Sequence, residues 1–136
     1  MMRTLKLILK WVLAVFFILA GINHFLNPAF YLKIMPPYLP WHLFLVYLSG
    51  LCEIALGAML MIPRAARAAA WGMILLLIAF LPVHFHMAFH PDLYPEYHPL
   101  ALWARLPVQG LLMLWAWWYT GRRPGGERES RRAAAA

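Results

Sequence analysis

Six polar side chains lie within or at the ends of otherwise apolar stretches, and their chemistry needs an explanation. They are Asn23, His24, Glu53, His84, Arg105 and Gln109. A charged side chain at the centre of a bilayer costs roughly 2.5–3.5 kcal/mol on insertion scales, so such residues are usually paired or functional. Glu53 could bind a proton or a cation, with Arg105 tuning its affinity. The structural alternative is an ion pair between Glu53 and Arg105 that holds the helices together.

The positions of these residues indicate a shared site. Glu53 lies eleven residues into its apolar stretch, about 16 Å along a helix at about 1.5 Å per residue. Arg105 and Gln109 are four residues apart and share a helix face. We therefore expect a polar pocket that opens to the outside, reaches Glu53 and is lined by all six residues. Three glycines would let the helices close beneath it: Gly21, Gly50 and Gly57.

The remaining histidines do not form a standard metal motif. His86 and His90 share a helix face, but the spacing that includes His84 matches no common zinc pattern. Haem would need two facing histidines, for which His24 opposite His84 or His86 is the only candidate. We predict no metal site and disfavour haem. The single cysteine, Cys52, excludes a disulfide within the chain, and we recognise no self-contained catalytic motif.

The elements that must position these residues are four apolar stretches at about 5–25, 42–62, 66–89 and 101–120. Each is close to the ~20 residues that a helix needs to cross a bilayer. With 64% hydrophobic and 12% charged residues among 136, the chain has no room for a separate soluble domain. We predict an all-α transmembrane four-helix bundle over residues 1–121, then a disordered basic cytoplasmic tail over 122–136. Prolines and aromatics in the first outer loop predict a short interfacial helix at 28–35.

Basic residues alternate between the connections of this predicted bundle. All of the twelve Lys and Arg except Lys33 and Arg105 lie in the N-terminus, the second connection or the tail. Short cytoplasmic segments carry such an excess. The pattern predicts a multi-pass protein of a bacterial-type inner or plasma membrane with both termini cytoplasmic. Orientation and attraction to anionic lipid explain the net charge of +7, so nucleic acid is not an expected partner.

Several motifs resemble the DoxX-like family of small four-helix membrane proteins. The resemblance covers about residues 5–120 and includes 20–25 (AGINHF), 35–40 (MPPYLP), 47–50 (YLSG) and 105–109 (RLPVQ). One departure is Pro82-Val83-His84, where such proteins usually carry Pro-Ala-Asn. The resemblance implies a four-helix membrane fold. Some members look like subunits of quinone-linked membrane redox complexes, and distant relatives act as cargo receptors or chaperones.

The expected function is that of an accessory or quinone-proximal subunit of a membrane redox system, not a self-contained enzyme. Such a subunit would hold a partner protein or a quinone-like ligand. Its expected partners are membrane lipid and other membrane or redox proteins, with an oligomer as a further option. One alternative is a membrane chaperone or partner-binding module that recognises a helix or a small amphiphile. A small transporter is the third hypothesis, although no internal repeat of the usual kind is visible.

Overall fold

A computed structural model describes residues 1–121 and 132–136, and every regular element in these ranges is helical. The elements are α1 (Met2–Leu26), α2 (Pro28–Ile34), α3 (His42–Met61), α4 (Ala66–Phe89), a 3₁₀ turn (Pro91–Leu93) and α5 (Pro99–Trp117). The predicted all-helical fold is thus confirmed. Most of the predicted disordered tail, residues 122–131, lies outside the described residues.

Four helices are long and apolar enough to cross a membrane: α1, α3, α4 and α5. Their most apolar windows have mean hydropathies of 1.2–2.3, yet only 17–28% of each window is buried inside the bundle. Large apolar side chains such as Leu75 and Leu114 point outwards, which is the arrangement that lipid favours. The chain is a multi-pass membrane protein whose four long helices match the predicted spans within three residues at each end.

Prolines set the boundaries around the first connection. Pro28 stands at the first position of α2, where its missing N–H and fixed φ are tolerated, and α1 ends two residues earlier. This confirms the short helix predicted after the first span.

The two ends of the bundle are named as follows. The loop end holds residues 27–41 and 90–98. The termini end is the opposite end, and it holds the start of α1.

Glycines allow α1 and α3 to pack closely against each other. A Cβ added to Gly57 would lie 2.7 Å from the Ala14 carbonyl oxygen, and one added to Gly50 would lie 2.6 Å from the Cβ of His24. A Cβ at Gly21 would collide with the carbonyl oxygen of Gly50. Because packing holds helices together in lipid, these absent side chains allow the tight contact.

Two apolar clusters fill the bundle at different heights. The larger cluster lies towards the termini end and contains Leu13, Ala14, Phe17, Leu60, Ala69, Ala70, Met73, Leu77, Ala116 and Tyr119. The Tyr119 hydroxyl donates to the Lys6 carbonyl at 3.0 Å. This hydrogen bond connects the segment after α5 to the first turns of α1. The smaller cluster lies at the loop end and contains Ile34, Met87, Tyr94 and Leu102.

Because α1 and α3 are in tight contact, a methyl group added between them should reduce the free energy of unfolding more than one added at an open position. Gly57→Ala should lower the free energy of unfolding by about 1–3 kcal/mol, since the Ala14 backbone cannot move aside without shifting the helix. Gly110→Ala is the matched control, because nothing lies within 4 Å of a Cβ there. It should be neutral or stabilising by up to about 1 kcal/mol through helix propensity. Titration of detergent-solubilised protein with SDS, followed by circular dichroism, measures both. Equal losses would contradict the packing.

Candidate functional site

A cavity of ≈ 240 Å³ lies towards the loop end, and all five helices contribute to its wall. Most of its lining is apolar or aromatic, including Phe30, Tyr31 and Phe80. The lining also contains five side chains with strongly polar or charged groups: His24, Ser49, Glu53, His84 and Arg105. A mostly apolar pocket with a few polar groups is the usual form of a small-molecule site.

His24 and Glu53 form the central contact of this site. The His24 Nδ1 lies 3.0 Å from Glu53 Oε2, and both residues are only 6% exposed. Glu53 belongs to the buried stripe of α3 that also contains Gly50 and Gly57. Because Gly50 leaves space for the Cβ of His24, the close packing of α1 on α3 brings the imidazole to the carboxylate.

The hydrogen on His24 Nδ1 is shared unequally between two oxygens. Nδ1 lies 2.9 Å from the Ala20 carbonyl oxygen, one helical turn back, as well as 3.0 Å from Glu53 Oε2. Two acceptors around one ring nitrogen require that nitrogen to carry a hydrogen. The aligned hydrogen bond goes to Ala20, so Glu53 Oε2 is buried with an attractive neighbour but without an aligned donor.

Tyr31 joins the short helix α2 to this contact. Its ring stacks on the His24 ring with centroids 3.8 Å apart and 18° between the planes. The Asn23 amide donates to the Tyr31 hydroxyl at 2.8 Å. Burial raises the pKa of the Tyr31 phenol above its ordinary value, so this hydroxyl stays protonated near neutral pH. The helix α2 therefore covers the cavity at a fixed orientation.

The ion pair between Glu53 and Arg105, which was the structural alternative for these two residues, is not formed. Glu53 pairs with His24 instead, and Lys33 pairs with Glu96. Arg105 instead places its guanidinium 5.4 Å from the centroid of the Tyr97 ring and its Nη1 3.5 Å from the Met87 sulfur. The reason is lateral position: α5 packs mainly on α4, whereas Glu53 faces α1. The two charged residues still line the same cavity.

Four of the six predicted pocket residues line this cavity: His24, Glu53, His84 and Arg105. Asn23 lies just outside it and holds Tyr31. Gln109 donates to the Leu77 carbonyl at 2.8 Å and is not part of the lining. It links α5 to α4 at the level of the larger apolar cluster, so its role here is structural.

Sequence reasoning missed both the partner of Glu53 and the wall residue Tyr31. One signal was present, because His24 and Glu53 each stand three residues after a glycine, Gly21 and Gly50. When glycines on two antiparallel helices meet, residues at the same offset come to the same side of the contact. No comparable spacing identifies Tyr31, whose position depends on how α2 folds back.

Contacts between the two loop-end connections hold this cover in place. Lys33 Nζ lies 2.5 Å from Glu96 Oε1. That hydrogen bond raises the pKa of Lys33 and lowers the pKa of Glu96. The pair therefore contributes between these two pKa values, and the contribution is lost as pH falls through that of Glu96 or rises through that of Lys33. Both side chains are exposed, so the contribution is small.

Within the described residues, no group of three or more His, Cys, Asp or Glu side chains is arranged to hold a metal ion. His86 and His90 stack on each other with centroids 4.5 Å apart, and His90 Nδ1 lies 3.0 Å from the His86 carbonyl oxygen. His84 contributes to the cavity, and its Nδ1 is buried without a partner.

The fold and the site define a small multi-pass membrane protein with a largely apolar cavity, containing a few polar side chains, towards one end of its helix bundle. Residues 13–120 match the family described as Domain of unknown function (DUF8561), and the chain belongs to that family. No curated protein and no solved structure matches the chain.

The geometry predicts strong energetic coupling between His24 and Glu53. Either Glu53→Gln or His24→Phe should destabilise the protein by up to about 3–5 kcal/mol, since each leaves a buried polar partner uncompensated. The double variant should lose less than the sum, with a coupling energy of about 1–3 kcal/mol. The same cycle with Arg105→Gln is the control and should show weaker coupling. SDS titration of all variants measures these values, and a larger coupling to Arg105 would contradict the structure.

Proposed function

We propose that this protein binds a small aromatic amphiphile of the quinone class in its loop-end cavity, as an accessory or quinone-proximal subunit of a membrane redox system. The observation that carries the proposal is the buried Glu53 carboxylate, which lies in a largely apolar cavity and lacks an aligned hydrogen-bond donor. Buried polar groups in folded proteins are normally satisfied, so such a group suggests a ligand.

The size of the cavity supports a single substituted ring. An engineered apolar cavity of about 150 Å³ is large enough for benzene, whereas pockets for drug-sized ligands start near 300 Å³. The ≈ 240 Å³ here lies between these values. Aromatic walls from Phe30, Tyr31 and Phe80 suit a flat ring, since aromatic pairs stack at 4.5–7 Å between centroids.

The redox association rests on the resemblance to DoxX-like proteins and on the chemistry of the lining. The cavity wall combines the carboxylate of Glu53 with the imidazole of His24 and the guanidinium of Arg105. These residues would hold and orient the ring of a quinone, which supplies the electron-transfer chemistry when bound. Electrons would pass to or from a partner protein, because the chain carries a single cysteine and no cofactor motif.

The proposed setting is a bacterial-type inner or plasma membrane, with both termini in the cytoplasm and the cavity towards the outside. The distribution of basic residues supports it, since the connections at the termini end carry nearly all of them. In this orientation Tyr38 and Trp41, which are 62% and 76% exposed, lie at the outer interface, the level that such side chains prefer.

Ligand-induced stabilisation tests the binding proposal. A ubiquinone with a single isoprene unit should raise the melting temperature of the detergent-solubilised protein. At a ligand concentration of ~100 times the Kd, binding should increase the free energy of unfolding by about 2.7 kcal/mol. Val83→Trp places an indole in the cavity wall and should abolish the shift. Leu75→Trp makes a similar change on the outward surface of α4, where Leu75 is 66% exposed, and should keep it.

Two outcomes of this experiment would contradict the proposal. One is the absence of any shift in the unaltered protein, and the other is an equal shift in both tryptophan variants. Mass spectrometry of gently purified protein then separates the alternatives. A co-purified quinone supports the proposal, whereas a co-purified membrane protein without any ring compound supports the chaperone or partner-binding role.

Cysteine labelling tests the proposed orientation. Lys33→Cys and Arg128→Cys are made separately on a Cys52→Ala background and treated in intact cells with a membrane-impermeant thiol reagent. Position 33 should react, and position 128 should react only after the cells are opened. Labelling at 128 but not at 33 in intact cells would reverse the topology.

A further inference from the structure

We infer that the cavity prefers the reduced, hydroxyl-bearing form of an aromatic ring, a hydroquinone or phenol, over the oxidised form that carries only carbonyl oxygens. The inference rests on the proposed function and specifies the chemical class of its ligand. Several hydrogen-bond donors around the cavity already have acceptors, whereas Glu53 Oε2 and His84 Nδ1 have no hydrogen-bond partner.

The donors beside Glu53 are directed elsewhere. The aligned hydrogen of His24 Nδ1 goes to the Ala20 carbonyl, and the Ser49 hydroxyl donates to the Val46 carbonyl at 2.9 Å. The guanidinium of Arg105 is turned towards Tyr97 and Met87. An ionised carboxylate can only accept hydrogen bonds. None of these groups makes an aligned hydrogen bond to Glu53 Oε2.

The two oxidation states of a quinone differ in the group that could meet this carboxylate. A quinone carbonyl oxygen is an acceptor, so placing it against Glu53 would bring two acceptors together and leave both unsatisfied. A hydroquinone hydroxyl donates a hydrogen bond to the carboxylate. A bond to a charged group in an apolar, water-poor cavity is among the stronger hydrogen bonds in proteins.

His84 adds a second polar position to the same wall. Its Nδ1 is buried and has no partner, and the residue lines the cavity together with Glu53. A neutral imidazole nitrogen without its hydrogen accepts a bond from a hydroxyl. A ring that carries more than one hydroxyl thus has more than one group in this lining to which it can donate.

The expected ratio of affinities for hydroquinone and quinone is that of one hydrogen bond to a charged group. A ligand without the donor leaves Glu53 Oε2 buried without an aligned hydrogen bond, which reduces affinity roughly 10- to 100-fold. The converse applies to a ring whose hydroxyls are methylated, since an ether oxygen has the shape of the ligand but no hydrogen to donate.

A matched set of three ligands tests the inference on the full-length protein in detergent, under argon. The ligands are tetramethylhydroquinone, tetramethylbenzoquinone and the dimethyl ether of the hydroquinone, and calorimetric titration gives each Kd. The hydroquinone should bind roughly 10- to 100-fold more tightly than either of the others. In Glu53→Gln the preference for hydroquinone over quinone should shrink to within a few-fold, because the carboxamide can donate to a carbonyl as well as accept from a hydroxyl.

Asp92→Asn is the control, since it makes the same acid-to-amide change at an exposed carboxylate outside the cavity. It should retain the full preference. Equal affinity for the three ligands in the unaltered protein would overturn the inference while leaving the binding proposal standing. So would an undiminished preference in Glu53→Gln. If none of the three ligands binds, both proposals fail. Should Glu53→Gln not fold, the ligand series in the unaltered protein decides alone.

Discussion

The close contact between α1 and α3 is the constraint on which the candidate site depends. In lipid no hydrophobic effect drives helices together, so contact distance is set by the side chains between them. Gly21 and Gly50 remove those side chains where the two helices meet. The imidazole of His24 then reaches Glu53, and the carboxylate gains a neighbour that can compensate its charge. A larger residue at either glycine would separate the helices and leave Glu53 unpaired.

The vertical division of the bundle determines what the cavity can do. Below it, towards the termini end, Leu13, Leu60 and Met73 are fully buried in the larger apolar cluster. Above it, α2 lies across the opening and is held by Tyr31 and by the ion pair of Lys33 with Glu96. A mostly apolar cavity with a few polar groups, closed beneath by a packed core, has the form of a small-molecule binding site.

Much of the fold could be predicted because apolar length and proline position are local properties of the sequence. The span that begins at His42 and the short helix after Pro28 follow directly from them. Depth was also predictable, which is why four of six expected residues line one cavity. The helix that each side chain faces could not be predicted. Arg105 and Glu53 have compatible depths, but α5 packs mainly on α4, whereas Glu53 faces α1. Resolving this requires knowing which helices are neighbours, and that depends on the glycine contacts.

The apolar lining of the cavity gives Glu53 its importance. In water a carboxylate finds donors readily, and a single hydrogen bond contributes little to recognition. Beside Phe80, Val46 and Ile34 the effective dielectric constant is low, so a missing donor is costly and a supplied one is correspondingly valuable. His24 lies 3.0 Å from Glu53 Oε2 and reduces this cost, but it leaves that oxygen without an aligned hydrogen bond. The incomplete pairing therefore links the stability of the bundle to the selectivity proposed for its ligand, since one carboxylate sets both.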